Sequence, residues 1–177
     1  MKTKLITFLL LTCILTTSFG QNLEENKVDK FTKKYVKKTT WEKLINKGAM
    51  STSTLYTKYC ISKVDNDKFF ELKMIINNTA YSINKGDKMI FLLANDKTIE
   101  LTAMETQVSS IGAGATGFVG SAGLGTHTIY QLTEENISEF KANIIKSVRI
   151  HTSEKYVEDD VSEKLSIAIN KCLELIN

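Results

Sequence analysis

The order of strand and helix patterns is the feature that most constrains the fold of this chain. Residues 54–103 read as successive strands with no helical pattern between them, and helical patterns come only near the end. A parallel doubly wound sheet needs helices between its strands, so this order argues against it. We predict an α+β fold, in which a curled, mostly antiparallel sheet (a partly open barrel or a sandwich-like layer) is packed by a C-terminal amphipathic helix and one shorter helix.

Turn signals divide the strand-rich part of the chain. Residues 54–64 and 69–76 are rich in β-branched and aromatic side chains and flank Asp65-Asn66-Asp67, which predicts a β-hairpin. Residues 89–94 form a continuous apolar run, which is typical of a strand buried on both faces. Residues 98–103 alternate apolar and polar side chains, which predicts a strand with one buried face.

The C-terminal part combines helices with a second hairpin. Thr133 is a suitable N-cap for a helix over residues 134–144, and residues 147–158 are predicted to form the hairpin. Asp160 and Glu163 form a D-x-x-E capping pair for the final helix. The apolar stripe of that helix has helical spacing and comprises Val161, Leu165, Ala168, Ile169, Cys172, Leu173 and Ile176.

The first twenty residues have the pattern of a secretory signal. Lys2 and Lys4 precede an apolar run at 5–15, and the small and polar residues that follow predict cleavage between Gly20 and Gln21. This run of eleven residues covers about half of a ~30 Å hydrocarbon core, which disfavours a membrane-spanning anchor. We therefore expect an exported protein that is periplasmic, associated with the outer membrane or extracellular.

Domain organisation follows from the remaining residues. The chain is 42% hydrophobic and 24% charged, as is typical of a globular protein. Residues 21–29 are polar and predict a flexible leader, and residues 41–47 predict a short helical turn. Residues 30–177 are predicted to form a single α+β domain with a glycine-rich loop at 112–125.

The charge balance bears on the partners. Without Lys2 and Lys4 the chain carries 21 basic and 20 acidic residues, a net charge of +1, and Arg149 is its one arginine. A nearly neutral chain has no overall field that attracts polyanions, and lysine lacks the bidentate geometry with which arginine holds phosphate. We therefore expect no nucleic-acid partner, and any polyanion would need a local basic patch.

One such patch is predicted near the start of the domain. Lys33, Lys34, Lys37 and Lys38 are followed by Trp41. Cations interleaved with aromatic rings are typical of a surface that binds a polyanion or a glycan. These five residues are the predicted binding face, with a glycan, an envelope protein or a membrane surface as its partner. The alternative is a solvated lysine face that keeps a strand edge from pairing.

Six of the nine glycines lie within residues 112–125. Gly112, Gly114 and Gly117 match G-x-G-x-x-G, but a dinucleotide site needs a strand before this motif and a helix after it. Each glycine costs a helix about 1 kcal/mol relative to alanine, and the chain continues here into another strand. We therefore expect no nucleotide and no other cofactor.

The same segment has a second interpretation. Small residues recur every four positions from Ala113 to Gly125, a spacing that lets helices approach closely in lipid. The alternative is a loop that joins two strands. In the first case, the residues that contact a membrane or another copy of the chain would be Gly112, Gly117, Phe118, Val119 and Gly125.

Catalytic and metal-binding motifs are missing from the sequence. It contains no G-x-S-x-G or H-E-x-x-H motif and no cysteine–histidine cluster with zinc-ligand spacing. We therefore predict no enzyme activity and no metal site. The alternative is a hydrolase without a recognisable motif, which would use His127 or His151 as its base.

Cys60 and Cys172 remain after removal of the predicted secretory signal. An exported protein meets an oxidising compartment, which allows a disulfide between them. Two separate buried thiols are the alternative, because cysteine is often a small core residue. The sequence leaves both interpretations open.

Several segments spread over most of the chain share a recognisable pattern. They are Val28-Asp29-Lys30-Phe31-Thr32, Trp41-Glu42-Lys43-Leu44, Lys85-Gly86-Asp87-Lys88, Tyr130 and Ser147-Val148-Arg149-Ile150-His151-Thr152. Together they resemble small exported proteins of Bacteroidetes-type bacteria, an uncharacterised group with a domain of unknown function. The resemblance implies an extracytoplasmic domain and supplies no catalytic residues.

The sequence as a whole predicts an exported, non-catalytic binding or structural module of the bacterial envelope. A membrane-associated or self-associating envelope protein that acts through residues 112–125 is the first alternative. The hydrolase that uses His127 or His151 is the second.

Overall fold

A computed structural model describes residues 21–47, 55–76, 79–114 and 123–177 of the chain. The described residues form mostly antiparallel sheet with two helices, one of them C-terminal, which confirms the predicted α+β class. The strands are β1 (Leu23–Val28), β2 (Tyr35–Thr39), β3 (Glu42–Lys47), β4 (Leu55–Val64), β5 (Asp67–Ile76), β6 (Ser82–Ile83), β7 (Lys88–Leu93), β8 (Thr98–Thr102), β9 (Gln107–Val108), β10 (Ser110–Ile111), β11 (Leu124–Leu132), β12 (Ile145–His151) and β13 (Tyr156–Asp160). The helices are α1 (Glu134–Ala142) and α2 (Glu163–Ile176).

Two large sheets are joined at one corner. The seven-stranded sheet has the order β1-β2-β4-β5-β11-β10, with β3 also paired to β4, and the four-stranded sheet has the order β13-β12-β7-β8. A bridge between Ala103, which follows β8, and Tyr130 of β11 connects them. The combined layer does not close, and α2 contacts β2 and β4 on one side and β12 on the other. The C-terminal helix therefore packs against both sheets.

The final helix buries four residues of the predicted stripe. Its N-cap is Ser162, whose side chain accepts a hydrogen bond from the Leu165 backbone N–H, whereas Asp160 is the last residue of β13. The predicted capping pair of Asp160 and Glu163 is therefore wrong, because strand pairing with β12 continues through Asp160. The residues of the stripe that α2 buries are Ile169, Cys172, Leu173 and Ile176.

A chain of aromatic rings fixes α1 on the core. Tyr59 stacks on Phe70 with 5.3 Å between centroids, and Phe70 meets Phe91 edge-on at 5.6 Å. Phe91 meets Phe140 of α1 at 5.1 Å. The side chain of Thr133 caps this helix, as predicted, and accepts a hydrogen bond from the Asn136 backbone N–H.

Three segments differ from the sequence-based expectation. The expected leader at 21–29 contains β1, which pairs with β2, and the expected helical turn at 41–47 contains β3, which pairs with β4. Neither strand carries the strict alternation of apolar and polar residues that marks a strand in a sequence. The apolar run at 89–94 is not buried on both faces, because burial alternates along β7. Of the predicted glycine-rich loop, residues 115–122 lie outside the described residues.

Candidate functional site

The seven-stranded sheet has two faces of different character. Along β5, Phe70, Leu72 and Met74 are fully buried in the core. Successive strand residues point to opposite faces, so Glu71 and Lys73 lie on the other side of the sheet. We call this side the outer face.

Four basic residues lie side by side on the outer face. The register pairs Lys43 of β3 with Lys58 of β4, and Lys58 with Lys73 of β5. Lys73 in turn pairs with His127 of β11. Directly paired residues of antiparallel strands share a face, and neighbouring strands are about 4.8 Å apart, so these four residues span about 14 Å. We call Lys43, Lys58, Lys73 and His127 the basic row.

Trp41 contacts two lysines and one histidine beside the basic row. The Nζ atom of Lys73 lies 4.3 Å from the Trp41 ring centroid, and that of Lys38 lies 4.9 Å from it. The His127 ring meets the same indole edge-on, with 5.5 Å between centroids. An ammonium over an aromatic ring is held by about 0.5–1 kcal/mol at a partly exposed site. The indole therefore keeps two ammonium groups and an imidazole in one small area.

Glu71 supplies a buried carboxylate at the centre of this area. Its exposure is 7%, and its Oε2 atom lies 2.8 Å from Lys38 Nζ and 2.9 Å from His127 Nε2. Burial alone would raise the pKa of Glu71, but the hydrogen bonds from His127, Lys38 and Ser62 outweigh burial and hold it at about 2. Burial opposes the charge of Lys38, yet the hydrogen bond to Glu71 raises its pKa. The pair is therefore ionised at neutral pH.

Cys60 lies opposite Glu71 on the neighbouring strand β4 and is fully buried. Burial raises the pKa of the Cys60 thiol, and the Glu71 carboxylate beside it raises that pKa further. Cys172 is buried on the core side, in α2, and neither cysteine is in a disulfide. The structure thus has two separate thiols, the second of the two alternatives left open by the sequence. A protonated, buried thiol is a poor nucleophile.

Two clefts flank the cluster around Glu71. The larger, about 620 Å³, lies where β3 meets the start of α2, and its lining includes Trp41, Lys43, Lys58 and Lys164. Three lysines from three different elements therefore face one space. The other, about 390 Å³, lies beside Glu71, and its mainly apolar lining includes Val64, Phe69, Met104 and Ile129.

The fold divides the binding face that the sequence predicts. Lys38 and Trp41 come together. Lys37 lies on the opposite face, where its Nζ donates to the main-chain oxygen of Asn177 at the end of α2, at 2.9 Å. The remaining members of the predicted face are exposed in the turn between β1 and β2: Lys33 and Lys34.

Sequence reasoning missed Glu71 and the lysines of the basic row. The sequence did contain a signal for one pair of the basic row, because the turn at Asp65-Asn66 fixes the register of β4 against β5. That register alone places Lys58 opposite Lys73. The positions of β3 and β11 depend on pairing between distant segments, for which the sequence offers no local signal.

The residues predicted to contact a membrane or another copy are partly described. Gly112 lies in a turn with φ of +83°. Gly125 is buried in β11 against Gly114, and a Cβ built on Gly125 would lie 2.5 Å from Gly114 Cα. The remaining members lie outside the described residues: Gly117, Phe118 and Val119.

The two histidines of the hydrolase hypothesis lie in different surroundings. His127 contacts a carboxylate, Glu71, but the nearby thiol of Cys60 lies against that carboxylate rather than against the imidazole. The Nε2 atom of His151 is buried, with no hydrogen-bond partner in the described part of the chain. Over the same residues, no group of three His, Cys, Asp or Glu side chains could hold a metal ion.

Within residues 21–47, 55–76, 79–114 and 123–177, neither helix has the length and apolar character needed to cross a bilayer. Comparison of the chain with protein families, with curated proteins and with solved structures gives no match. The function is therefore inferred from the residues of the chain itself.

Proposed function

We propose that this chain is an exported, non-catalytic binding module of the bacterial envelope that binds an acidic polysaccharide along the basic row. The observation that carries the proposal is the direct cross-strand register of the four basic residues on β3, β4, β5 and β11. A ligand with a series of carboxylates would meet the ammonium groups of β3, β4 and β5 along one line across the sheet.

A second lysine row, on the core side of the sheet, provides a contrast. Lys37, Lys63 and Lys68 are in register on β2, β4 and β5. Lys37 and Lys68 both donate to oxygens of Asn177 at the end of α2, and Lys68 also contacts Glu134 at 2.9 Å. The negative end of the helix dipole thus faces this row, which gives it a structural role. The basic row lies instead on the outer face, where Lys43 and Lys58 line the larger cleft.

The ligand class follows from the spacing and from the kind of cation. Neighbouring members of the row are about 4.8 Å apart, a distance comparable to one sugar unit of an extended polysaccharide. A lysine ammonium is a compact point charge that can pair with the single carboxylate of one sugar unit. The half-exposed indole of Trp41 adds an aromatic surface among these cations.

The other parts of the proposal have their own support. The signal-like pattern of the first twenty residues and the resemblance to exported proteins support export. The raised pKa of the Cys60 thiol supports a binding role rather than nucleophilic catalysis at this site.

Titration of residues 21–177 with polygalacturonate tests the binding proposal, with neutral dextran of matched length as the control polymer. Trp41 is the one tryptophan of the chain and lies beside the row, so its fluorescence reports binding. We expect a saturable change with polygalacturonate and none with dextran. The affinity should fall as salt rises, because salt screens exposed charges.

Matched variants test the residues. The double variant Lys58→Gln, Lys73→Gln should lose about tenfold in affinity, since exposed charge pairs contribute up to about 1 kcal/mol each. The control variant Lys85→Gln, Lys155→Gln removes two exposed lysines outside the outer face and should bind as the wild type does. Equal losses in both variants, or tighter binding of single-stranded nucleic acid than of polygalacturonate, would overturn the proposal.

Fractionation of the native host tests export separately. We expect the protein outside the cytoplasm, with an N-terminus at Gln21. Recovery of the uncleaved chain from the cytoplasm would contradict export, while the binding proposal would still be decided by the titration.

A further inference from the structure

The ribbon formed by β1 and β2 extends beyond its neighbour in the sheet. The last pair between β2 and β4 is Val36 with Val64, and Asp65 in the β4–β5 turn exchanges hydrogen bonds with the Tyr35 backbone. β1 is the edge strand of this sheet. Residues 28–35, which we call the tip, therefore project past the end of β4.

The tip is an ordered turn held by Asp29. One oxygen of this carboxylate accepts hydrogen bonds from the backbone N–H groups of Phe31 and Thr32, at 3.0 and 2.7 Å, and from the Thr32 hydroxyl at 3.0 Å. The backbone of Asp29 also bonds to Lys33 and Lys34, both at 2.8 Å. A carboxylate that accepts several hydrogen bonds favours its charged form, and these bonds lower the pKa of Asp29.

This ordered turn displays apolar side chains among lysines. Phe31 is 81% exposed and Val28 is 59% exposed, the former being the most exposed large apolar side chain in the described part of the chain. The tip carries Lys30, Lys33 and Lys34, whereas Asp29 is its one acidic residue and is occupied by the turn. The fold therefore presents an aromatic ring surrounded by positive charge.

We propose that the tip is a membrane contact, which inserts Phe31 between the headgroups of an anionic bilayer while the three lysines lie over the lipid phosphates. An exposed apolar side chain gains by leaving water, and lysines close to an anionic surface are attracted to it. A single apolar anchor gives only marginal membrane binding, and a basic cluster beside it strengthens the association. The proposal uses none of the residues of the basic row and is independent of the polysaccharide.

An anionic bilayer complements both parts of the tip, because its headgroups attract the lysines and its apolar region accepts the Phe31 ring. A neutral apolar surface would complement the ring alone. A polysaccharide would leave the Phe31 ring in water. The competing partner is a protein whose groove is apolar and bordered by acidic side chains. The vesicle experiment below distinguishes such a protein from lipid.

Co-sedimentation of residues 21–177 with vesicles tests the proposal. We expect binding to vesicles rich in phosphatidylglycerol and none to phosphatidylcholine vesicles. Phe31→Ser should weaken binding about tenfold, and the triple variant Lys30→Gln, Lys33→Gln, Lys34→Gln about 100-fold. Because all four side chains are exposed, these variants should melt as the wild type does.

Control variants remove comparable groups elsewhere. Ile167→Ser changes an apolar side chain of α2 that is 48% exposed, and a triple variant changes three exposed lysines to glutamine: Lys85, Lys141 and Lys155. Both controls should bind vesicles as the wild type does. A loss in the controls equal to that in the tip variants would overturn the proposal.

A tryptophan at the tip gives a readout of insertion. In the variant Phe31→Trp, Trp41→Phe, the emission should shift to the blue on anionic vesicles and be quenched by brominated lipid. Binding without quenching would overturn insertion. Absence of vesicle binding by the wild type, or binding that is lost on deletion of residues 115–122 but kept in the tip variants, would overturn the assignment to the tip.

Discussion

Lys38 of β2 and Glu71 of β5 meet across the intervening strand β4, with 2.8 Å between Nζ and Oε2. His127 approaches the same oxygen from β11, at 2.9 Å. The buried thiol of Cys60 on β4 lies beside this carboxylate. One carboxylate therefore links four neighbouring strands of the outer face, next to the basic row.

Removing this carboxylate should destabilise the fold. Glu71→Gln leaves Lys38 without its counterion, and breaking a buried ion pair from one side is costly. The Lys38 and His127 side chains keep 19% and 37% exposure and can be rehydrated, so we expect a loss of about 2 kcal/mol. Urea unfolding measures it. The control Glu100→Gln, at an exposed 3.7 Å pair with Lys88, should cost less than about 1 kcal/mol. Equal losses would show that Glu71 adds nothing beyond a surface pair.

Acid should remove the stability that the ionised Glu71 carboxylate contributes. The pKa of Glu71 falls from its ordinary 4.5 to about 2 in the folded state, so the unfolded chain takes up the proton first as pH falls. The stability contributed by Glu71 is thus fully present above pH 4.5 and is lost between there and pH 2. The difference in unfolding free energy between wild type and Glu71→Gln should shrink over this window. A difference that stays constant would contradict the ionised carboxylate.

The β4–β5 hairpin shows how far sequence reasoning reaches. Its strands and its turn are predicted from local patterns, and the turn sets the register that places Lys58 opposite Lys73. Lys43 and His127 join the row through pairings of β3 and β11 with distant segments. Those pairings are selected by the packing of the whole core, which local propensity does not encode.

Edge strand β1 shows a different limit. Its side chains are mostly exposed, so no alternation of apolar and polar residues marks it, and it reads as a polar leader. The hydrogen bonds that make it a strand come from β2. The predicted lysine face failed to stay together for a related reason, because Lys37 and Lys38 are neighbours on a strand and point to opposite faces.

The cysteines should be unreactive in the folded protein. Both thiols are buried, and burial raises the pKa of Cys172 to about 11 and that of Cys60 above its usual range. In residues 21–177, Ellman's reagent should label neither thiol in buffer and both in denaturant. Reductant should not change the melting temperature. Failure to label two thiols in denaturant without reductant would instead indicate a bond between Cys60 and Cys172.

Gly125 should be intolerant of any side chain. A Cβ there would lie 2.5 Å from Gly114 Cα and 2.7 Å from the Met74 carbonyl oxygen, both of them backbone atoms. Overpacking of this kind costs about 1–3 kcal/mol, so we expect Gly125→Ala to lose about 3 kcal/mol by urea unfolding. Gly86→Ala is the control, because Gly86 has φ of +94° but open space around it, and backbone strain alone should cost about 1 kcal/mol.

The stabilities of Gly125→Ala and Gly86→Ala together test the role of the glycine spacing at 112–125. If Gly125 serves to contact a membrane or another copy, an alanine should leave the stability in water unchanged and impair only that contact. If Gly125 instead allows the turn at Gly114 to pack closely against β11, the loss of stability should appear in monomeric protein without lipid. We expect the second result, because both glycines are buried against each other and against the carbonyl of Met74. A fully stable Gly125→Ala variant would contradict this packing.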